Sequence, residues 1–162
     1  MASVKRFADL FFTTYFVMHI FITVFVDSQA ILPASLYPLP LRSIFSWHIS
    51  FSGDYLMRDM PPYFKGLVFA EVFLQIPLFF ANAYGFYHEK RWARTTGLIY
   101  GVTAATSLVP ILTDFLYSNV ATKNLLMAIY VPFLVIPLAL VFHVIISYSE
   151  TQPRNLKGRK RA

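Results

Sequence analysis

A four-helix transmembrane bundle is the fold class this sequence predicts, and three observations predict it. The 162-residue chain is 57% hydrophobic and only 14% charged, against about 25% charged in soluble domains. Folded in water, it would expose large apolar patches. Four apolar runs of about twenty residues follow one another, each long enough to cross a hydrocarbon core. The Lys and Arg residues cluster at alternate ends of those runs, the asymmetry that orients membrane proteins.

The first run covers residues 8–26, the second 63–87, the third 95–117 and the fourth 125–148. Prolines 77, 110, 132 and 137 fall inside them. A soluble helix would break there, but a membrane bundle tolerates proline because neighbours satisfy the freed carbonyls. Lys5 and Arg6 precede the first run as they would in a signal peptide. The run exceeds the roughly 7–15 apolar residues of a signal h-region, so it is expected to stay as a helix. Residues 8–148 form one bundle domain, and 149–162 a basic cytosolic tail.

With four spans, both termini and the connection near residue 90 share one side. Lys5, Arg6, Lys90, Arg91, Arg94, Arg154, Lys157, Arg159, Lys160 and Arg161 lie there, and only Arg42, Arg58, Lys65 and Lys123 opposite. The positive-inside rule places both termini in the cytosol. The long connection, 28–62, then faces the lumen or exterior. Its Pro33, Pro38, Pro40, Trp47, Phe51 and Tyr55 fit either an amphipathic lid on the bundle or simple interfacial anchoring. The tail's charges suit anionic headgroups, and Arg159-Lys160 before the last two residues resembles a dilysine-type retrieval signal.

Polar residues inside the spans form stripes. His19, Thr23 and Asp27 recur every four residues, so they share a helix face. Glu71 and Gln75 have the same spacing, and Thr103, Thr106, Ser107 and Pro110 mark one face of the third span. Tyr130 and Phe133 lie one turn apart in the fourth. Glu71 is eight residues past Tyr63, about 12 Å deep at 1.5 Å per residue. Asp27, Ser107 and Tyr130 sit in the same half of the bilayer. One occluded, largely apolar cavity opening toward the lumenal leaflet follows.

A carboxylate inside the membrane costs about 2.5–3.5 kcal/mol and faces a cavity or a partner by default. No Lys or Arg shares the depth of Glu71; the nearest acid is Asp27. Two carboxyls in one low-dielectric site do not both ionise cheaply. One is expected to keep its proton and donate a hydrogen bond to the other, so that the pair carries about one negative charge and makes a site for an amine. Blander readings stand beside this. Glu71 bonded to Gln75 is a structural acid, His19 a packing residue, and the hydroxyls of the third span ordinary helix-packing groups. There is no cysteine, so thiolate metal sites and disulfides are excluded. No metal, cofactor or nucleic-acid partner is expected.

The stretches YFVMHIFITVFVDSQAILP (15–33), PPYFKGLVFAEVFLQIPLFF (61–80), TSLVPIL (106–112) and YVPFLVIP (130–137) resemble the EXPERA family, in its receptor branch. That family also contains sterol Δ8–Δ7 isomerases. Asp-x-Gln-Ala-x-Leu-Pro and Phe-x-Glu-x-x-x-Gln-x-Pro are the specific motifs. The resemblance implies that Asp27 pairs with a ligand's protonated amine and that Glu71 hydrogen-bonds Asp27. It places Gln75, Ser107, Tyr130, Phe133, Phe64, Val68 and Trp47 near the pocket; the first-span stripe adds His19 and Thr23 as candidates on the same face as Asp27. It also implies sterol or oxysterol ligands, cationic amphiphilic ligands, contact with membrane lipid, a link to the Niemann–Pick type C transporter, and a homodimer. An endoplasmic reticulum location is implied, with nuclear envelope or endolysosomal membranes as further sites. The isomerases carry an acid one turn after the histidine of the first helix, where this chain has Thr23. A binding or trafficking protein is therefore expected, not an isomerase.

Overall fold

Residues 2–151 are described in the computed structural model, and no strand occurs among them. Helix α1 is Ala2–Phe25; a short 3-10 turn, Asp27–Ala30, follows it. The long connection then forms α2 (Leu39–Ser52) and α3 (Tyr55–Asp59). The second span is built from α4 (Pro62–Ala70), a π turn (Glu71–Gln75) and α5 (Ile76–Tyr87). Helices α6 (Ala93–Tyr117) and α7 (Lys123–Thr151) complete the chain. The segments long and apolar enough to cross a membrane are Val4–Ala30, Pro62–Tyr87, Ala93–Tyr117 and Lys123–Ile146, within a few residues of the expected runs. Most of the basic tail, 152–162, lies outside the described residues.

Proline and glycine set the boundaries. Pro40 and Pro62 stand in the first turns of α2 and α4, where a missing N–H costs nothing. Helix α2 stops at Gly53 with φ +66°, and a Cβ there would meet Thr122 Oγ1 at 2.6 Å. Only glycine suits both constraints. In the second span the Ile76 N–H bonds to Glu71 O, five residues back. The widened turn ends just before Pro77, whose ring would crowd a regular helix; such turns recur at functional sites.

Helix α1 packs on α5, and α6 on α5 and α7. Small residues let α6 and α7 close up: a Cβ on Gly101 would lie 2.6 Å from Val141 Cγ2 and 2.9 Å from Pro137 O, the close approach typical of membrane helices. Both ends of the bundle are tied. Near the termini, Arg6 pairs with Glu89 at 3.3 Å, and His143 Nε2 meets Asp9 Oδ1 at 3.0 Å. At the opposite end, Tyr63 donates to Asp114 Oδ2 at 2.6 Å and Tyr55 donates to the other oxygen. Phe21, Phe73, Phe80, Val109 and Phe142 are exposed around the outside, as a lipid-facing surface requires.

The buried core has two parts. Phe12, Tyr15, Phe16, Phe79, Phe86, Tyr100 and Leu140 fill the half near the termini. Phe64, Val68, Ile111, Phe115 and Leu126 fill the other half, together with Leu56 and Met57 of α3. The connection is thus not loose on the bundle; its Leu56 and Met57 side chains belong to the core.

Candidate functional site

A cavity of about 340 Å³ lies between the two parts of the core, at the small end of the ~300–1,000 Å³ typical of ligand pockets. Helix α1 presents one stripe to it, spaced by four as its period dictates. His19 is wedged among aromatic rings, with centroids 4.9 Å from Tyr15, 4.8 Å from Phe79 and 5.1 Å from Phe133. Its Nε2 faces Glu71 Oε1 at 3.8 Å, and its Nδ1 is buried with no hydrogen-bond partner. One turn on, the Thr23 hydroxyl lies 3.0 Å from Glu71 Oε1 and 3.3 Å from Asp27 Oδ2.

Asp27 opens the 3-10 turn that ends the span. Two neighbours fix that turn. Ser28 donates to Val24 O at 2.7 Å and accepts from Tyr37 at 2.6 Å. Gln29 donates to Phe25 O and, at 3.0 Å, to Leu41 O in α2. The Asp-x-Gln-Ala motif therefore ties the end of α1 to the start of the lid.

Every candidate residue except Thr23 lines the cavity. Phe64, Val68, Glu71 and Gln75 form the wall from the second span, Ser107 belongs to α6, and Tyr130 and Phe133 to α7. The π turn keeps Glu71 and Gln75 facing the cavity ahead of Pro77. Trp47 reaches the mouth from α2 while stacking on Phe51 at 5.1 Å, and it stays 61% exposed. Thr23, fully buried, stands behind the cavity surface and links the acids.

The Thr23 hydroxyl lies within reach of both carboxyls. One expectation needs correction. Thr103, Thr106, Ser107 and Pro110 were expected on one face. Ser107 lines the cavity, but Thr106 and Pro110 are exposed on the outer side. Adjacent positions differ by about 100° around a helix, so a stripe this wide straddles two environments.

The site also contains groups the sequence reading passed over. Asp54 is fully buried at the head of α3. It accepts from Met57 N at 3.0 Å and from the Tyr130 hydroxyl at 2.5 Å, with His48 Nε2 at 3.9 Å. Burial alone would raise its pKa, but the His48 ring, the Tyr130 hydroxyl and the Met57 N–H outweigh burial and hold it below the ordinary carboxylate value. His48, Met57 and Tyr130 all line the cavity, so Asp54 latches the lid to α7. Gly53-Asp54, a helix stop followed by an N-cap residue, was the available signal. At the deep end the Tyr15 and Tyr100 hydroxyls pair at 2.9 Å, and Tyr100 reaches the cavity. Tyr15 continues the α1 stripe one turn before His19. Among the described residues no group of three or more His, Cys, Asp or Glu is placed to hold a metal.

A membrane bundle with an acid-lined, largely apolar cavity under a helical lid is the class these observations define. Residues 40–144 match the family model described as EXPERA (EXPanded EBP superfamily), and the chain belongs to that family. It is 33% identical to Sigma intracellular receptor 2 of Xenopus tropicalis, over 97% of this chain and all of that protein. Identity to Sigma intracellular receptor 2 of Homo sapiens is 32%, over 88% of this chain and 90% of the relative. It is also 30% identical to Efficient mitochondria targeting-associated protein 19 of Saccharomyces cerevisiae (strain ATCC 204508 / S288c), over 82% of this chain and 94% of that protein. The receptor-branch resemblance read from the motifs is upheld by the first two.

Proposed function

We propose that this protein binds sterols or oxysterols, and cationic amphiphiles, within the membrane of the endoplasmic reticulum, and acts in sterol homeostasis and trafficking. The observation that carries this reading is the Asp27–Thr23–Glu71 chain beside a cavity walled by Phe64, Val68, Tyr100 and Phe133. Apolar walls supply affinity for a hydrocarbon skeleton, at about 25 cal/mol per Å² buried. The acids orient a polar or cationic group, as a few converging polar groups do in ligand pockets. Both termini face the cytosol, placing the lid on the lumenal side. A homodimer and a Niemann–Pick type C transporter partner belong to the same reading.

The isomerase alternative needs a proton donor and a proton acceptor, both in reach of the sterol double bond. His19 and Glu71 are present, but the position one turn after the histidine is a threonine. That Thr23 is engaged with both acids, and the assignment is therefore to binding, not catalysis. Mass spectrometry of lipids co-purified with the wild type and with Asp27→Asn tests the reading. Enrichment of sterols over bulk lipid in the wild type supports it; bulk lipid composition in the wild type contradicts it.

A further inference from the structure

Thr23 differs from most threonines in the spans; Thr96 also donates across helices, but to the neutral amide of Asn82. Thr13, Thr14, Thr103, Thr106 and Thr113 each donate to the carbonyl four residues back on their own helix, the habit of hydroxyls within helices. The Thr23 hydroxyl instead faces two carboxyl oxygens on separate segments, fully buried. A hydroxyl holds one proton and accepts through its lone pairs. Two hydrogen bonds along Asp27–Thr23–Glu71 therefore need two protons, one on Thr23 and one on a carboxyl. With both acids ionised, one contact would be bare oxygen against oxygen in a medium of low dielectric, which is costly. The triad carries one negative charge, and its proton has two possible homes.

The surroundings choose between them. His19 Nδ1 is enclosed without a partner, and Nε2 points toward Glu71 at 3.8 Å. A neutral ring carries one proton, and an enclosed nitrogen is better left bare. The N–H therefore sits on Nε2, toward Glu71. Thr23 is also nearer Glu71 than Asp27. Both features favour charge on Glu71 and a proton on Asp27. The other titratable groups about the cavity are committed elsewhere: Tyr130 and His48 to Asp54, and Tyr100 to Tyr15.

We propose that Thr23 relays a proton between the two acids and so lets one cavity take both charged and neutral ligands. In the empty cavity Asp27 is protonated and Glu71 is the carboxylate. A neutral alcohol then meets an uncharged Asp27 carboxyl, whose free oxygen accepts from the alcohol O–H. An ammonium group docking at Asp27 drives the shift. The Asp27 O–H bond breaks as its proton passes to Thr23 Oγ1, and the original Thr23 O–H bond breaks as that proton passes to Glu71 Oε1. The triad keeps one negative charge, now facing the ammonium, and takes no proton from solvent. This rests on the reading that the cavity binds amines and sterols at Asp27.

The test is infrared difference spectroscopy on the full chain in lipid nanodiscs, with and without N,N-dimethyldodecylamine, in the region of protonated carboxyl C=O bands. Asp27→Asn and Glu71→Gln assign the bands. In the wild type, amine should remove the Asp27 band and create a Glu71 band, whereas cholesterol should leave the Asp27 band in place. Thr23→Val should lose the exchange and about tenfold in amine affinity, the scale of one hydrogen bond to a charged group. Thr23→Ser, which keeps the hydroxyl, should restore both. Amine binding with the Glu71 band already present and unchanged overturns the relay alone, as does exchange that persists in Thr23→Val. Absence of amine binding to the wild type overturns the ligand reading and the relay with it.

Discussion

Replacing Asp54 with alanine should loosen the lid. The side chain caps α3 through Met57 N at 3.0 Å and accepts from Tyr130 of α7 at 2.5 Å. Losing a helix cap costs about 1 kcal/mol, and leaving a buried hydroxyl without its acceptor costs about 1–3 kcal/mol. The closed lid should therefore lose about 2–4 kcal/mol, a factor of about 30 to 1,000 in its opening equilibrium. Hydrogen exchange in nanodiscs reads this directly: protection over residues 39–59 should fall, while the α6–α7 contact keeps its own. Asp59→Ala, which removes an exposed acid paired with its neighbour Arg58, should change nothing. Unchanged protection in Asp54→Ala would refute the latch and leave the lid held by Leu56 and Met57 alone. The pH dependence has a defined sign. Because its partners hold Asp54 below the ordinary carboxylate value, its contribution is present above the unfolded value of about 3.9. That contribution is lost only as pH falls through the lower folded value. Asp54 should therefore keep its charge and its acceptor role from pH 7 down to about pH 5.

Gly101→Ala should drive Val141 and the Pro137 carbonyl away from α6 and cost about 1–3 kcal/mol, as overpacking does. Thermal unfolding by scanning fluorimetry should show the loss, with Gly66→Ala, whose Cβ would meet nothing within 4 Å, as the unaffected comparison. Expression in a sterol-isomerase-deficient strain should leave Δ8 sterols unconverted, because Thr23 stands where the isomerases have an acid; robust rescue would move His19 and Glu71 into catalytic roles.

The bundle was legible because its two signals, apolar length and basic asymmetry, are properties of single segments. The α1 stripe was legible for the same reason: spacing by four assigns His19, Thr23 and Asp27 to one face without knowledge of any neighbour. What faces that stripe was not legible. Thr23 is placed on the stripe by spacing, but its contact with Glu71 exists only because the π turn brings that acid across from it, and that turn depends on how the second span accommodates Pro77 between neighbours. The lid reads as a proline-rich aromatic loop, yet Asp54 is buried because Tyr130 and the Met57 N–H satisfy it, and Tyr130 is distant in sequence. Thr106 and Pro110 were grouped with Ser107 by spacing, although their position relative to lipid is set by how α6 packs on α5 and α7.

Radioligand binding of one cationic amphiphilic amine and one neutral sterol, in membranes carrying wild type, Asp27→Asn or Glu71→Gln, tests the central claim most directly. Asp27→Asn should abolish most amine binding, since the docked ammonium then lacks its carboxylate. Glu71→Gln should weaken the amine less, because an amide still donates toward Thr23 and Asp27. Sterol binding should depend less on either substitution, since buried apolar area supplies most of its affinity. Amine affinity unchanged in Asp27→Asn, or a greater loss in Glu71→Gln than in Asp27→Asn, would contradict the account.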